Sequence, residues 1–332
     1  MIKTRKPNIV VIGGGTGLPV ILNNLKKLNA DLTAVVTVAD DGGSSGRIRA
    51  AFNSVPPGDI RNVLVSLSDI PQIQKDIFQY RFHSKDKMFD GHAIGNLIIQ
   101  ALSEMEGSIS EAIKILADMM KVEGNIYPAS EEPLTLHARY RDGSVASGES
   151  HIPVSGKVID YVAVSCLNDR HKPIPCGTNV VSAIMEADVI VLGPGSLYTS
   201  ILPSLMIPDI GKAVLETDAR VVYICNIMTQ LGETEGFTDA DHVRVLHRHL
   251  NSPFIDTALI NNKKVPFEYV AKEKSEYLFQ VTHDFHELSK LVPQIISDDF
   301  LKLTDKGVYH NGEKAANEIY NIANTERNKI AF

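Results

Sequence analysis

The segment that most constrains the fold lies near the start of the chain, where a β-branched run enters a glycine turn. Residues 8–12 are a short β-branched run rich in valine and isoleucine, a pattern typical of a buried parallel strand. Apolar residues then recur at helical spacing through residue 28, and residues 32–38 are a second β-branched run. The turn between strand and helix consists of Gly13, Gly14, Gly15, Thr16 and Gly17. Strand, glycine turn, helix and strand form the first unit of an open α/β sheet.

The rest of the chain continues this alternation with one interruption. Residues 126–159 alternate between apolar and polar and carry turn signals, which predicts antiparallel hairpins, whereas 187–192 and 221–225 predict buried strands. Helices are predicted over 59–67, 70–80, 92–105, 109–121, 178–186, 239–250 and 315–325. The sequence therefore predicts an α/β fold with an open, doubly wound, mostly parallel, Rossmann-like sheet. We expect one domain over residues 1–330, with a β-hairpin insertion at 126–159 and a helical lobe.

Composition excludes several classes of protein. Hydrophobic residues make up 44% of the 332 residues and charged residues 22%, which is enough for a buried core. The net charge is −7 without a basic block, so we expect no nucleic-acid partner. No apolar run approaches the ~18 residues of a membrane span, and the first one is too short for a signal peptide. We expect a cytoplasmic protein with reduced cysteines; the sequence leaves open whether it forms a homo-oligomer.

The first glycine turn is a candidate phosphate site. Glycines let backbone amides approach an anion, and the N-terminus of the next helix adds its dipole. The dinucleotide fingerprint is incomplete, because Leu18 stands where its third glycine belongs. The P-loop spacing between Gly143 and Gly148 is followed by Glu149 instead of lysine, within a predicted hairpin, so we reject that motif. The alternative for the first turn is a tight connection without a ligand.

An acidic segment follows the second predicted strand. Asp40, Asp41 and Gly42 could hold a ribose hydroxyl or, through water, Mg²⁺. Arg47 could bind a phosphate or carboxylate. The alternative is a solvated loop whose carboxylates cap a helix.

A third segment repeats the geometry of the first. Gly193, Gly195 and Ser196 follow the predicted strand at 187–192, and the alternative for them is a structural turn. Because parallel strands place their carboxyl ends on one edge of a sheet, we expect both glycine loops to face one crevice. Six further polar residues stand at predicted helix starts or strand ends, where ligand binding and structural roles are both open: Asp59, Asn62, His92, Asn96, Asn226 and Thr229.

Three histidines near residue 245 also require an interpretation. His242, His247 and His249 have spacings that point away from a single helix face, so a solvated surface is favoured over a metal site.

Six segments of the chain, taken together and in their order, resemble the CofD-like family, and within it the YvcK branch. The resemblance spans residues 8 to 325, and Leu231 departs from it at a position where we expect proline. It rests on residues 13–18, 39–49, 57–62, 91–97, 193–200 and 226–234. The resemblance implies either of two activities. CofD is a phospholactate transferase that uses a guanosine-diphosphate-activated substrate and Mg²⁺ to modify a deazaflavin. The YvcK branch is associated with cell shape, growth on gluconeogenic carbon sources and the binding of UDP-sugars such as UDP-N-acetylglucosamine.

The leading hypothesis is a regulatory protein that binds a nucleotide sugar. In it, the two glycine loops bind the diphosphate, Asp40 and Asp41 bind hydroxyls or a cation such as Mg²⁺, and Asn226 and Thr229 lie near the nucleoside or sugar. One alternative is a CofD-like transferase that moves a phosphate-linked group from a nucleoside-diphosphate-activated donor with Mg²⁺. Another, a nicotinamide-dependent oxidoreductase, rests on the strand–turn–helix start alone. The sequence identifies no catalytic residue.

Overall fold

A seven-stranded parallel sheet forms the centre of the computed structural model, which describes residues 5–86, 89–272, 279–305 and 307–325. The strands are β1 (Asn8–Gly13), β2 (Asp31–Val36), β3 (Asn125–Pro128), β4 (Leu134–Tyr140), β5 (Val145–Ser147), β6 (Ile159–Cys166), β7 (Val189–Leu192), β8 (Arg220–Ile224), β9 (Thr257–Asn261), β10 (Gln294–Asp298), β11 (Leu301–Thr304) and β12 (Gly307–His310). The order in the central sheet is β10-β9-β8-β7-β1-β2-β3, and every neighbouring pair is parallel.

Helices connect these strands and pack against the sheet. They are α1 (Gly17–Leu25), α2 (Gly43–Phe52), α3 (Gly58–Leu67), α4 (Gln72–Gln79), α5 (Ile94–Glu106), α6 (Ile109–Met119), α7 (Val180–Glu186), α8 (Leu202–Leu205), α9 (Pro208–Glu216), α10 (Asp239–Leu250), α11 (Phe267–Lys272), α12 (Phe285–Leu291) and α13 (Gly312–Asn324). Short turns of 3₁₀-helix and π-helix occupy Pro153–Ser155 and Leu197–Ile201. None of the described helices is long and apolar enough to cross a membrane.

The chain reverses its direction of travel across the sheet between β1 and β7. It runs from β1 outward through β2 to β3, then returns to the other side of β1 and continues through β7, β8, β9 and β10. Open α/β sheets bind ligands at the carboxyl ends of their strands at such a switch point. The prediction of a Rossmann-like α/β fold is confirmed.

The core explains why the opening segment folds as predicted. Four residues of β1 are at most 1% exposed, because the strand lies in the middle of the sheet with helices on both faces. The apolar stripe of α1 is buried as its spacing predicts, through Leu18, Ile21, Leu22 and Leu25.

Two segments differ from the sequence-based expectation. Residues 126–128 were expected in the antiparallel insertion, but they belong to β3, which pairs in parallel with β2 as an edge strand. The antiparallel sheet consists of β4, β5 and β6 and extends to Cys166. The glycine-rich residues 43–46 form the first turn of α2, where the alternative interpretation was a solvated loop. Ser44 and Ser45 are buried there, so packing offsets the low helix propensity of glycine.

Candidate functional site

Two glycine loops lie side by side at the switch point. Residues 14–16 follow β1 and residues 193–196 follow β7, and these two strands are parallel neighbours. A Cβ atom on Gly17 would lie 2.3 Å from the Pro194 carbonyl oxygen, and one on Gly195 would lie 3.4 Å from the Gly14 carbonyl oxygen. The backbones of the loops are therefore in direct contact, which confirms the predicted geometry; phosphate binding by the loops stays a prediction.

The loops form part of the wall of a cavity of about 560 Å³. The segment after β8, the strand β12 and Glu149 complete the wall. The predicted site residues that line it are Gly14, Gly15, Thr16, Gly17, Gly195, Ser196, Asn226 and Thr229. Gly13 is the last residue of β1 and Gly193 directly follows β7; neither is part of the lining. Another cavity, of about 620 Å³ beside α5, contains none of the predicted residues, so volume alone does not identify the site.

The first loop already binds a carboxylate. Gly15 has a φ of +67°, and its N–H group donates a hydrogen bond of 2.8 Å to Asp59 Oδ2 in the first turn of α3. Burial raises the pKa of Asp59 to about 6; the Gly15 hydrogen bond opposes this, and the neighbouring Asp40 carboxylate adds to it. The Asp59 carboxylate therefore already accepts a hydrogen bond from the Gly15 N–H group, one of the amides that are predicted to bind phosphate.

Replacing Asp59 with asparagine should stabilise the protein by ~1 kcal/mol at pH 7, because asparagine can still accept from Gly15 without a buried charge. A carboxyl whose pKa is raised from 3.8 to about 6 contributes stability below pH 4 that is lost as the pH rises through 6. Denaturant unfolding between pH 4.5 and 8 measures this. Asp59→Asn should flatten the decline in stability that the wild type shows with rising pH, whereas Asp118→Asn, at an exposed position of α6, should not. Identical pH profiles for wild type and Asp59→Asn would contradict the assignment.

Two glutamates from distant parts of the chain also line the cavity, and sequence reasoning did not single them out as site residues. Glu233 is 7% exposed and accepts hydrogen bonds from the hydroxyl groups of Ser196 and Thr199. Burial raises its pKa. Burial and the nearby carboxylates of Asp40, Asp41 and Glu233 raise the pKa of Glu149 to about 7.

Glu149 reaches the cavity from the antiparallel insertion. It lies just beyond β5, in a turn whose Ser150 N–H group donates to Asp41 Oδ1 at 2.8 Å. The segment from Gly143 to Glu149 contains a strand, as predicted, and the glutamate that rules out a P-loop there is itself a cavity residue.

Asp40 and Asp41 lie beside the cavity and are not part of its lining. Asp40 Oδ1 accepts from the Gly42 N–H group at 2.8 Å, an arrangement that fixes the turn before α2. Both carboxylates raise the pKa of Glu149, which places their charge near the cavity wall. The hydrogen bond from Ser150 to Asp41 holds this carboxylate close to Glu149, the residue before Ser150 in the chain and part of the cavity wall.

Asn62, His92 and Asn96 belong to a separate network, in which His92 and Asn96 are buried and Asn62 is partly exposed. The Arg61 guanidinium donates to Asn96 Oδ1 at 2.7 Å and to Asn62 Oδ1 at 2.9 Å. Asn96 Nδ2 in turn donates to Ser44 Oγ, which lies 3.0 Å from His92 Nδ1. None of these residues lines the glycine-loop cavity.

The two arginines of α2 bind backbone carbonyls. Arg47 is exposed and donates to the Asp90 carbonyl at 2.5 Å. Arg49 is 4% exposed and donates to the Leu134 carbonyl at 2.7 Å, which ties α2 to β4. Arg49 therefore has a structural role, and Arg47 lies away from the cavity lining.

Several lining side chains are held by the protein itself. The Ser196 hydroxyl accepts from the Thr199 N–H group, and the Thr229 hydroxyl exchanges hydrogen bonds with the Phe279 backbone. His310 Nε2 lies 3.0 Å from the Cys225 carbonyl. Since a carbonyl only accepts, Nε2 carries the proton, and burial lowers the pKa of the ring. His310 thus contributes a neutral acceptor, Nδ1.

Two of the three histidines near residue 245 are buried, so the expectation of a solvated surface is wrong for them. His242 and His249 are at most 3% exposed. His249 Nε2 accepts from the Val162 N–H group, and its ring stacks on Tyr161 at 4.5 Å. In the described residues, no group of three or more histidines, cysteines or acids is arranged to hold a metal ion.

Known proteins resemble this chain over nearly its whole length. The model of the CofD family, described as 2-phospho-L-lactate transferase CofD, matches residues 9–301. A Lactococcus lactis protein named "Putative gluconeogenesis factor" is 55% identical over 96% of this chain and 97% of its own length. A Listeria innocua protein named "Gluconeogenesis factor" is 47% identical over 99% of both chains.

A solved structure confirms the fold independently. A crystal structure of a Bacillus halodurans protein superposes with a TM-score of 0.91, at 41% sequence identity, over 95% of this chain and 99% of that one.

Proposed function

The chain belongs to the CofD family, and from that premise we propose that it binds a nucleotide sugar of the UDP class, such as UDP-N-acetylglucosamine. We propose further that it does so as a regulatory protein linked to growth on gluconeogenic carbon sources and to maintenance of cell shape. Its similarity to proteins named gluconeogenesis factor supports the first link.

One observation carries the binding proposal: two glycine loops meet at a switch point and line a single cavity. A diphosphate between them could accept hydrogen bonds from the amides of both loops and from the N-terminus of α1. Asn226 and His310 line the same cavity, and their amide and imidazole groups could bind the donors and acceptors of a nucleoside.

Mg²⁺ fits this cavity because of its charges. Within the described part of the chain, no lysine or arginine lines it, whereas Glu149 and Glu233 do, with Asp40 and Asp41 beside it. A bound diphosphate would therefore meet carboxylates without a protein cation to balance it. Asp40 and Asp41 would hold the ion, with water and phosphate oxygens as the remaining ligands that Mg²⁺ commonly keeps. The ion would neutralise charge on the diphosphate.

Replacing Asp40 and Asp41 together with asparagine tests this cation site. Mg²⁺ should strengthen wild-type binding of UDP-N-acetylglucosamine by about tenfold, because carboxylates are good ligands for this hard cation. The amides of the double variant are poor ligands for it, so the variant should lose this effect. The double variant should bind equally with Mg²⁺ and with chelator in calorimetry, and Asp118→Asn should behave like wild type. A double variant that keeps the full Mg²⁺ effect would place the ion elsewhere.

Calorimetric titration of the wild-type protein with UDP-N-acetylglucosamine and with NAD, side by side, tests the proposed function itself. We expect micromolar-range binding of the sugar nucleotide and none of NAD, since Leu18 replaces the third glycine of the dinucleotide fingerprint. Binding of NAD alone would favour the oxidoreductase hypothesis, and binding of neither would overturn the nucleotide-sugar proposal.

The match to the transferase family supports a second candidate function, transfer of a phosphate-linked group from a nucleoside-diphosphate-activated donor. Incubation with UDP- and GDP-linked donors and Mg²⁺, followed by mass spectrometry for released nucleotide, tests turnover. Release of nucleotide at a rate above the protein-free control would establish an enzyme.

The cellular role has a genetic test. A strain without this gene should grow poorly on gluconeogenic carbon sources and show altered cell shape, and the wild-type gene should restore both. If a gene for a variant that no longer binds the sugar nucleotide restores both equally, ligand binding does not carry the regulation.

A further inference from the structure

A polar groove begins where the glycine-loop cavity ends. It lies between α1, α3 and α4 and has a volume of about 400 Å³. Thr16, at the N-terminus of α1, lines both the cavity and the groove, so the two are neighbours around one side chain. Four carboxamide side chains and one lysine line the groove, and no carboxylate of the described residues does. The carboxamides are Asn23, Asn62, Gln72 and Gln79. The groove therefore differs in charge from the acidic cavity.

Helix geometry places the groove within reach of a group attached to the diphosphate. Asp59 and Asn62 are one turn apart on the same face of α3, and Asp59 bonds the Gly15 amide. Three residues of α-helix rise about 4.5 Å, roughly the width of one sugar ring. A hexose linked to a phosphate at Gly15 and Thr16 would therefore reach Asn62.

The groove carries a donor and an acceptor in fixed orientation. Asn62 Oδ1 accepts from the Arg61 guanidinium at 2.9 Å and from Gln79 Nε2 at 3.3 Å. A guanidinium only donates, so the oxygen of Asn62 must face Arg61, which leaves Asn62 Nδ2 as a donor and Gln79 Oε1 as an acceptor. Arg61 is 3% exposed and is itself held by Asn96 at 2.7 Å. The buried network of predicted residues thus orients a carboxamide pair.

We propose that this groove is the sugar subsite: Asn62 Nδ2 donates to, and Gln79 Oε1 accepts from, the hydroxyl or acetamido groups of the sugar. The inference rests on the proposed function. A surface of carboxamides with a paired donor and acceptor suits an uncharged sugar, whose hydroxyl and acetamido groups both donate and accept hydrogen bonds. The glycine loops bind the diphosphate and the groove distinguishes a nucleotide sugar from the bare nucleotide.

Gln79→Met tests the subsite, because it keeps the length of the side chain and removes both hydrogen-bonding atoms. Gln79 is half-buried on α4, so the fold should tolerate the change. Calorimetry should show UDP-N-acetylglucosamine binding about five- to tenfold more weakly, as expected for a lost hydrogen bond, with UDP binding unchanged. Gln74→Met, an exposed position on the same helix outside the groove, should change neither affinity.

Asn62→Leu provides a second variant, with circular dichroism as the check on folding because Asn62 contacts buried Arg61. It should show the same selective loss. Equal losses for UDP and the sugar nucleotide, or none for either, would overturn the sugar subsite while leaving the proposed function standing. If wild-type protein binds neither ligand, the proposed function fails, and the subsite fails with it.

Discussion

A single methyl group on Gly17 should weaken nucleotide-sugar binding by at least about a hundredfold. A Cβ atom there would lie 2.3 Å from the Pro194 carbonyl oxygen and 2.9 Å from its carbon, so Gly17→Ala must push the two glycine loops apart. A shift of about 1 Å between binding groups costs on the order of a hundredfold when several hydrogen bonds depend on their alignment. Calorimetry with UDP-N-acetylglucosamine measures the loss.

Gly13→Ala is the matched control. Gly13 ends β1 outside the cavity lining, and a Cβ atom there would meet its nearest neighbour, Gly193 Cα, at 3.9 Å, an ordinary contact. Both variants should unfold cooperatively in thermal denaturation, which separates loss of the site from loss of the fold. A folded Gly17→Ala protein with wild-type affinity would show that the loops do not act together on the ligand.

Gly15→Val, in the middle of the first loop, would be a less informative probe. Gly15 has a φ of +67°, where a β-branched residue is strained, while the nearest atom to an added Cβ is Ser200 Oγ at 3.7 Å. The variant would test backbone strain and space at once. Ser196→Ala is ambiguous too, since the Ser196 hydroxyl bonds Glu233 and caps the turn at Thr199. Gly17 isolates the contact between the loops.

Local patterns were sufficient to predict the elements that build the switch point. The first strand, α1 and β2 follow from β-branched runs and a helical apolar stripe. Helix α10 begins and ends as predicted, because Thr238 and Asp241 form a capping box and Asn251 ends it in the left-handed conformation. Positions of the two glycine loops then follow from the rule that parallel strands share one carboxyl edge.

Long-range contacts account for what the sequence did not predict. Glu149 reaches the cavity because the sheet β4–β6 folds back and its neighbour Ser150 contacts Asp41. These two residues are 109 positions apart in the chain, and no local pattern predicts such a contact. Strands β9 and β10 are short and were not predicted, although they extend the sheet. His242 and His249 are buried with their Nδ1 atoms 2.8 Å from the Thr238 and Val245 carbonyls, contacts that spacing alone does not reveal.

Glu149 should make nucleotide-sugar binding depend strongly on pH when no divalent cation is present. In chelator, the wild-type dissociation constant for UDP-N-acetylglucosamine should rise about tenfold per pH unit above 7, or about thirtyfold at pH 8.5. The pKa of Glu149 is about 7 in the free cavity, and a bound diphosphate raises it further, so binding at higher pH requires uptake of a proton. Two like charges 5 Å apart repel by about 3 kcal/mol at an effective dielectric constant of 20, enough for this effect.

Glu149→Gln separates this group from the other acids at the cavity. Glutamine keeps the shape and can still accept from Thr199, so the variant should bind with a dissociation constant that is flat from pH 6.5 to 8.5. Glu106→Gln, exposed at the end of α5, should retain the wild-type slope. Glu233, Asp40 and Asp41 remain in both variants, so a persistent slope in Glu149→Gln would assign the proton to one of them. Mg²⁺ should also abolish the pH dependence of the wild-type dissociation constant, because the cation compensates the negative charge that the proton otherwise removes. A pH dependence that survives saturating Mg²⁺ would mean that the ion does not lie between Glu149 and the diphosphate.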